Sequence, residues 1–264
     1  VSLLAFTLAM TVGQNLGFTN PLILALIGVS IVMAGIFVWV ERRTQFPVID
    51  LALFRSLPFS LNLFTATLAF IAISGIVLLL PIYLNLVLGL EMTRIGLLMA
   101  AVPLIMVLVQ PLSGTLSDRF GTQRVSLLGL CFILSGYLAM ATIQTDTSQA
   151  GFVLRMFLVA FGMATFNSPN NSAIMGAVPR ARLGVASGIL SMMRTLGQVT
   201  GVAALGAFFA SRVSRYSGGS ELSSAPPQSI VAALHDQFLL VAVLILAGIV
   251  LSLLTWRRKN RIEA

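Results

Sequence analysis

The chain has 264 residues, of which 58% are hydrophobic and only 9% are charged, whereas roughly a quarter of the residues in a soluble domain are charged. A mean hydropathy of +1.00 excludes an ordinary soluble domain and predicts an all-α integral membrane protein. The net charge of +8 would suggest nucleic-acid binding in a soluble protein. Here the basic residues stand at the ends of apolar segments, so membrane topology explains them and no nucleic-acid partner is expected.

Apolar segments of membrane length recur along the whole chain. Residues 1–12 are too short to cross about 30 Å of hydrocarbon and are interpreted as the end of a truncated span. The sequence begins without an initiator Met and inside an apolar segment, so we expect it to be a piece of a longer protein. Seven complete spans are predicted at about 21–40, 59–80, 95–114, 125–143, 150–168, 184–210 and 235–256.

The polar segments between these spans are expected to lie outside the hydrocarbon. A charged loop is predicted over residues 114–124, residues 167–171 are expected to close the fifth span, and a flexible loop is expected over 211–229. Residues 44–58 contain two prolines and are interpreted as a linker along the membrane surface. Its lipid-facing side chains would be Phe46, Ile49, Leu53 and Phe54.

The basic residues are distributed unequally between the two sides of the membrane. Because successive spans alternate in direction, one side carries only Arg94, Arg212 and Arg215 outside the spans. The other side carries Arg42, Arg43, Arg55, Arg119, Arg124, Arg180, Arg182, Arg257, Arg258, Lys259 and Arg261. The positive-inside rule places this second side, with the 114–124 loop and the C-terminus, in the cytoplasm of a multi-pass protein of the cell (inner) membrane.

Two arginines fall within predicted spans. Arg194 lies well inside the sixth span, where an unpaired charge costs about 2.5–3.5 kcal/mol or more. No acidic residue lies well inside a span, so its partner would be a backbone carbonyl, a polar side chain, water, a substrate or an acid elsewhere in the protein. A functional role and simple snorkelling to the cytoplasm both stay open. Arg155 is nearer the end of its span, and we expect it to snorkel.

Small and large apolar side chains mark two further kinds of candidate residue. Glycines at spacing four in the sixth span are candidates for close helix packing, either static or on a surface along which helices slide; they are Gly184, Gly188, Gly197 and Gly201. Other side chains inside the spans could line an adaptable pocket, or could face lipid. The candidate lining residues are Phe64, Phe70, Phe161, Asn167 and Met193.

Catalytic signatures are absent from the sequence. It has no nucleophile elbow, no phosphate-binding glycine loop and no cluster of metal ligands. We therefore predict no enzyme, no metal and no bound cofactor.

The charged segment GTLSDRFGTQR resembles the signature cytoplasmic loop of the major facilitator superfamily, which is Gly-x-x-x-Asp-Arg-x-Gly followed by basic residues. Thr122 and Gln123 depart from it, since relatives often carry another basic residue there. The matching positions are Gly114, Asp118, Arg119, Gly121 and Arg124.

Three further segments resemble the fourteen-span drug:proton antiporters of the EmrB/QacA type, and together the resemblance covers essentially the whole chain. They are VWVERRTQFPVIDLALFR, NSPNNSAIMGAVPRARLGVASGI and MMRTLGQVTGVA. The resemblance implies that residues 1–58 hold the end of a truncated extra span, one complete extra span and the cytoplasmic linker. Residues 59–264 would form the C-terminal six-helix half of the transporter.

The resemblance also implies a mechanism, which is proton-coupled efflux of lipophilic or cationic drugs by alternating access, driven by the proton motive force. Asp118 would act as a conformational latch by holding Arg119 or a helix N-terminus, and the second, third, fifth and sixth spans would line the cavity. The antiporter motif and the proton-carrying acid of the family are expected in an N-terminal half, the partner that this sequence lacks.

Two other functions remain open at this point. The chain could belong to a carrier for a specific metabolite or lipid, which buried polar clusters would favour over a cavity of Phe and Met. It could also be a non-transporting membrane scaffold or an inert truncated half.

Overall fold

The computed structural model describes residues 1–17, 20–44, 50–220 and 222–263. Within these ranges the chain is helical between short turns, without a β-strand. Seven helices are long and apolar enough to cross a membrane, so the all-α membrane fold is confirmed. The helices are α1 (Ser2–Leu16), α2 (Pro21–Glu41), α3 (Leu57–Leu86), α4 (Met92–Phe120), α5 (Thr122–Met140), α6 (Gln149–Gly176), α7 (Leu183–Tyr216) and α8 (Pro227–Glu263).

Two of the long helices begin at residues whose side chains satisfy free backbone N–H groups. The Asn20 side chain accepts a hydrogen bond of 2.9 Å from the Leu22 N–H, and Pro21 occupies the first turn of α2, where no N–H is needed. The Ser148 hydroxyl accepts from the Gly151 N–H at 3.2 Å and begins α6. Because lipid offers no hydrogen-bond partners, helices are the structure that this apolar sequence can form.

Two polar segments that were predicted to lie outside the spans are helical. α4 continues to Phe120 and α5 begins at Thr122, so the predicted 114–124 loop is reduced to a turn at Gly121, whose φ is +90°. α6 continues through residues 167–171 to Gly176 instead of ending there. Hydropathy marks where a helix leaves the hydrocarbon, whereas the backbone hydrogen bonds that define the helix continue beyond that point.

The linker before α3 is described only in part, since residues 45–49, with the predicted lipid-facing Phe46 and Ile49, lie outside the described residues. Asp50 begins a short 3-10 helix (Leu51–Arg55) by accepting a hydrogen bond from the Ala52 N–H. Leu53 is buried against the protein, not in lipid as predicted, because this turn folds back onto α3. The Phe54 ring packs edge-on against Phe59.

Three glycines hold α5 and α6, the most extensively packed helix pair, in direct backbone contact. A Cβ atom added at Gly129 would lie 2.5 Å from the Phe166 N, and one at Gly136 would lie 2.7 Å from the Val159 N. One at Gly162 would lie 2.5 Å from the Ile133 N. No side chain fits at these positions, so the helices can approach this closely only because the residues are glycines.

The glycines predicted to pack at spacing four divide into two groups. A Cβ atom at Gly197 would lie 3.0 Å from the Thr67 carbonyl oxygen, and one at Gly201 would lie 2.6 Å from the Ile71 carbonyl oxygen, so α7 lies close against α3 there. Gly184 and Gly188 have nothing within 4 Å of such an atom. The close packing expected for this second pair is therefore not formed within the described chain, because no helix covers that face of α7.

The first two helices form a hairpin at the edge of the bundle. The Ser2 hydroxyl donates to the Ser30 carbonyl at 2.9 Å, and the Ser30 hydroxyl donates to the Ser2 carbonyl at 3.1 Å. α1 also packs against α7, whereas most residues of α2 are exposed. The hairpin therefore joins the bundle through α1, and α2 lies on its outside.

The alternating helices give the bundle two ends. We call the end where α4 meets α5 and α6 meets α7 the arginine-rich end, because Arg119, Arg124, Arg180 and Arg182 lie there. An Asp50–Arg182 ion pair joins the linker to the α6–α7 connection at this end.

Candidate functional site

A polar cavity of about 510 Å³ lies between α4, α6 and α7. Its lining is unusual for an apolar bundle, since amides, hydroxyls and one guanidinium group face it. The lining residues are Gln110, Pro111, Asn167, Ser168, Asn171, Ser172 and Arg194. No acidic side chain of the described residues is among them.

Arg194 provides the charge of the cavity. Its guanidinium carbon lies 4.8 Å from the centre of the Phe70 ring on α3, a cation–π contact. Its Nε atom is buried and has no hydrogen-bond partner among the described residues. Phe70 therefore contacts the guanidinium group from α3, while the Nε–H of Arg194 has no protein acceptor in the described chain.

The cavity lies in the half of the bundle nearer the arginine-rich end. At 1.5 Å per residue, Arg194 is about 16 Å along α7 from Leu183, and Gln110 is about 15 Å along α4 from Phe120. Asn167 and Asn171 lie closer to the end, about 13 Å and 8 Å along α6 from Gly176. The backbone of Arg194 therefore lies about three turns inside α7.

The amides reach the cavity because α6 remains helical through the NSPNNS segment. Asn167 and Asn171 are four residues apart, as are Ser168 and Ser172, so each pair lies on one helix face. Ser113 on α4 donates a 2.7 Å hydrogen bond to the Thr165 carbonyl and holds the two helices together beside the cavity. Gly114 lets α4 approach, since an added Cβ atom would lie 3.4 Å from the Ser168 hydroxyl.

The signature residues lie at the arginine-rich end, below this cavity. Asp118 and Arg119 are exposed in the last turn of α4, and Gly121 makes the turn into α5 with a φ that favours glycine. The Arg124 guanidinium lies 6.0 Å from the Trp256 ring centre, so α5 and α8 meet there.

Asp118 forms neither of its two predicted contacts. No ion pair with Arg119 is formed, because neighbouring residues on a helix point in different directions. The N-terminus of α5 receives no side-chain hydrogen bond either. Within the described chain the Asp118 carboxylate is thus exposed and available to another part of the protein.

Only some of the predicted lining residues lie at the cavity. Asn167 lines it, and Phe70 forms the cation–π contact with Arg194. Phe161 instead packs against Phe132 of α5, with ring centres 4.9 Å apart, because it lies on another face of α6. Phe64 is 52% exposed on α3, and Met193 is half-buried against the core.

The sequence prediction missed Gln110, Ser168, Asn171 and Ser172 as lining residues. The signal was present in the repeated spacing of four between the asparagines and between the serines. This spacing did not identify the lining residues, because the polar segment around Pro169 is typical of the end of a span, whereas α6 continues to Gly176.

Arg155, the other arginine predicted within a span, forms hydrogen bonds to both α5 and α6. Its Nε atom donates to the Ala139 carbonyl at 3.1 Å and to the Thr142 hydroxyl at 3.2 Å, and Nη1 donates to the Gly151 carbonyl at 2.9 Å. The Ala139 carbonyl belongs to the last turn of α5, Thr142 follows that helix, and Gly151 belongs to the first turn of α6. Arg155 therefore binds α5 to α6 as well as approaching the membrane surface.

We expect the Arg155→Gln substitution to lower the stability of the purified full-length protein by about 1–2 kcal/mol, because hydrogen bonds to a half-exposed charged group would be lost. The measurement is the thermal unfolding midpoint in detergent. Arg215→Gln is the matched control, since Arg215 is exposed and its loss changes the net charge equally. Equal midpoints for the two variants would contradict the structural role of Arg155.

Comparisons with known proteins agree with this architecture. A family model described as Major Facilitator Superfamily matches residues 1–202. The chain is 33% identical over 210 residues to the Multidrug resistance protein Stp of Mycobacterium tuberculosis, covering 80% of this chain and 39% of that protein.

Two further relatives carry different names. The chain is 30% identical over 197 residues to the Tetracycline resistance determinant of Streptomyces rimosus, covering 73% of this chain and 56% of that protein. It is 27% identical over 221 residues to the Riboflavin transporter RibZ of Clostridioides difficile, covering 84% and 48%. The chain thus matches between 39% and 56% of the length of these relatives.

Proposed function

The chain belongs to the major facilitator superfamily, and on this premise we propose that it works in a membrane transporter that exports lipophilic drug-like compounds by alternating access. Two of the relatives above bear the names of resistance proteins, which supports this substrate class. The observation that carries the proposal is the polar cavity around Arg194 within an otherwise apolar bundle.

A charge deep in a membrane helix indicates function because its burial is costly. Arg194 is not neutralised by an acid of the described chain, and its Nε atom lacks an acceptor there. The cavity volume of about 510 Å³ falls within the range of small-molecule sites, about 300–1,000 Å³.

Proton coupling forms part of the proposal by family resemblance. No acidic side chain of the described chain lines the cavity, so the coupling proton would be carried by another part of the full-length transporter. In this arrangement the described helices would supply the cavity, the turn at Gly121 and the exposed Asp118. The resemblance to the fourteen-span EmrB/QacA type supports α3–α8 as a C-terminal half, with α1 and α2 as extra spans.

The proposed topology places the arginine-rich end in the cytoplasm. Arg119, Arg124, Arg180 and Arg182 lie there, and the positive-inside rule favours the cytoplasmic side for such residues. The C-terminus of α8 lies on the same side, since two further spans, α7 and α8, follow the α6–α7 connection and the second of them returns to that end. The protein would then be a multi-pass component of the cell (inner) membrane, and its cavity would lie toward the cytoplasm.

A carrier for a specific metabolite is the second candidate. It is favoured by the polar lining of the cavity, because amides and hydroxyls at fixed positions select one arrangement of polar groups. The relative named as a riboflavin transporter also supports it. A drug exporter would use the same site with looser selectivity.

Accumulation and proton release in everted vesicles containing the full-length protein test the proposal. We expect tetracycline or ethidium to be taken up in a manner that depends on a proton gradient, and its addition to release protons. Uptake of riboflavin alone would support the metabolite carrier. Vesicles that neither accumulate any of these compounds nor release protons, compared with vesicles lacking the protein, would refute the transport proposal.

A further inference from the structure

We propose that the Arg194 cavity binds an acidic oxygen group with a neighbouring hydroxyl, so that the substrate is a lipophilic organic acid instead of a lipophilic cation. This inference rests on the proposed function, because it takes the cavity as the substrate site. It differs from the sequence expectation, which included cationic compounds. Three features of the cavity support it.

The first feature is the orientation of the Arg194 donors. The guanidinium group is planar, and its N–H donors lie in that plane. The guanidinium carbon lies 4.8 Å from the centre of the Phe70 ring, and this ring offers the N–H groups no oxygen or nitrogen acceptor. The Nε atom is buried without an acceptor among the described residues. A carboxylate or enolate oxygen in the cavity would complete this edge with charge-assisted hydrogen bonds.

The second feature is the charge of the lining. Among the described residues that line the cavity, Arg194 alone is charged, and the other polar groups are the neutral side chains of asparagine, glutamine and serine. A cation entering this space would meet an uncompensated positive charge in a medium of low dielectric constant, which is unfavourable. An anion would be attracted, and it would also remove the cost of burying the arginine charge alone.

The third feature is a buried acceptor in the same cavity. The Oδ1 atom of Asn171 has no hydrogen-bond partner in the part of the chain that the structure describes. Being an acceptor, it requires a donor, whereas Arg194 requires an acceptor. In a ligand with a hydroxyl group beside the acidic oxygen, the hydroxyl would donate to Asn171 and the acidic oxygen would accept from Arg194. An isolated carboxylate would satisfy only Arg194.

An acid in a part of the full-length protein outside this chain is the competing partner for Arg194. Such an acid would neutralise the guanidinium group and leave the cavity without affinity for an anion. The two possibilities predict opposite results for a small organic acid. Binding measurements therefore decide between them.

Three compounds of similar size that differ in charge show which charge the cavity prefers. They are salicylate, which carries a carboxylate beside a hydroxyl, neutral salicylamide and cationic ortho-hydroxybenzylamine. Binding to the purified full-length protein is measured by equilibrium dialysis. We expect salicylate to bind most tightly. Equal or tighter binding of the amine or the amide, or no binding of salicylate, would overturn the proposal.

Variants identify the group that is responsible. Arg194→Gln removes a charge-assisted contact and should weaken salicylate binding about tenfold or more, without weakening binding of the amine. Arg194→Lys should retain more binding than Arg194→Gln. Arg94→Gln changes the net charge equally at an exposed position outside the cavity and should bind as the wild type does. Salicylate binding by Arg194→Gln at the wild-type level would overturn the assignment.

Asn171→Asp gives an independent test that does not alter Arg194. The new carboxylate would pair with the guanidinium group, so salicylate binding should fall and amine binding should rise. All variants are compared as monodisperse protein by gel filtration. Unchanged salicylate binding by Asn171→Asp would contradict the shared site.

The vesicle assay separates a failure of this inference from a failure of the proposed function. Binding of salicylate that depends on Arg194, without transport of any compound, would refute the transport proposal and leave the acid site standing. Proton-coupled export of cations that is unaffected by Arg194→Gln would refute the acid site and leave the transport proposal standing.

Discussion

Replacement of Gly162 by leucine is expected to abolish recovery of folded protein. A Cβ atom at this position would lie 2.5 Å from the Ile133 N and 2.9 Å from the Gly129 carbonyl oxygen, both of which belong to the backbone of α5. A flexible side chain could move aside, but a helix backbone cannot without separating α5 from α6. Overpacking ordinarily costs about 1–3 kcal/mol, and here the cost should exceed that range, against a total stability of roughly 5–15 kcal/mol.

The measurement is the fraction of full-length protein that elutes as a monodisperse peak after extraction in detergent. Gly188→Leu is the matched control, because it makes the same change in a membrane helix where no atom lies within 4 Å of the added Cβ. We expect Gly188→Leu to be recovered as the wild type is. Normal recovery of Gly162→Leu would show that α5 and α6 are not in backbone contact.

Transport by the full-length protein should fall about tenfold or more when Asp118 is changed to asparagine, which is the scale of one lost charge-assisted contact. The Asp118 carboxylate is exposed in the last turn of α4 and has no hydrogen bond or ion pair with the described residues. Because the Asp118 carboxylate makes no such contact with these residues, it can bind another part of the transporter in one conformational state and release it in the other. Asparagine has nearly the same shape, so the fold should be preserved.

Efflux from cells and the amount of protein in the membrane are measured together for this variant. Asp146→Asn is the control, since Asp146 is also exposed but lies in the turn before α6, at the opposite end of the bundle. We expect reduced efflux at an unchanged protein level for Asp118→Asn alone. If both variants export as the wild type does, Asp118 is not a latch.

The order and number of the spans could be predicted from the sequence because they depend on composition alone. A segment that is apolar for some twenty residues must be a helix in lipid, whatever surrounds it. The extents of α4 and α6 could not be predicted in this way, since the helices continue past the apolar residues to Phe120 and Gly176.

The packing faces depend on neighbours that the sequence does not specify. Gly184 and Gly188 have the same spacing as Gly197 and Gly201, yet only the latter two face α3. The backbone contact at Gly162 is among the closest in the bundle, yet no glycine four residues away identifies it in the sequence. A small residue permits close approach, but only the fold determines whether another helix is there.

Two of the residues that line the cavity, Asn167 and Arg194, could be predicted from the sequence. Arg194 could be identified from its cost in the membrane, but its contact with Phe70 joins α7 to α3, which are distant in the sequence. Asn171 and Gln110 became lining residues only through the packing of α6 and α4 around the same space.

With Gly121 as the only residue between α4 and α5, the two helices should enter the bilayer as one hairpin during biogenesis. α5 is the less apolar of the two, so its own transfer from the translocon into lipid is the weaker. A connection of one residue is too short for α5 to remain at the membrane surface after α4 has inserted. The favourable transfer of α4 into lipid therefore contributes to the insertion of both helices. Insertion of α5 is therefore expected to depend on the hydrophobicity of a helix that contributes few of its final contacts.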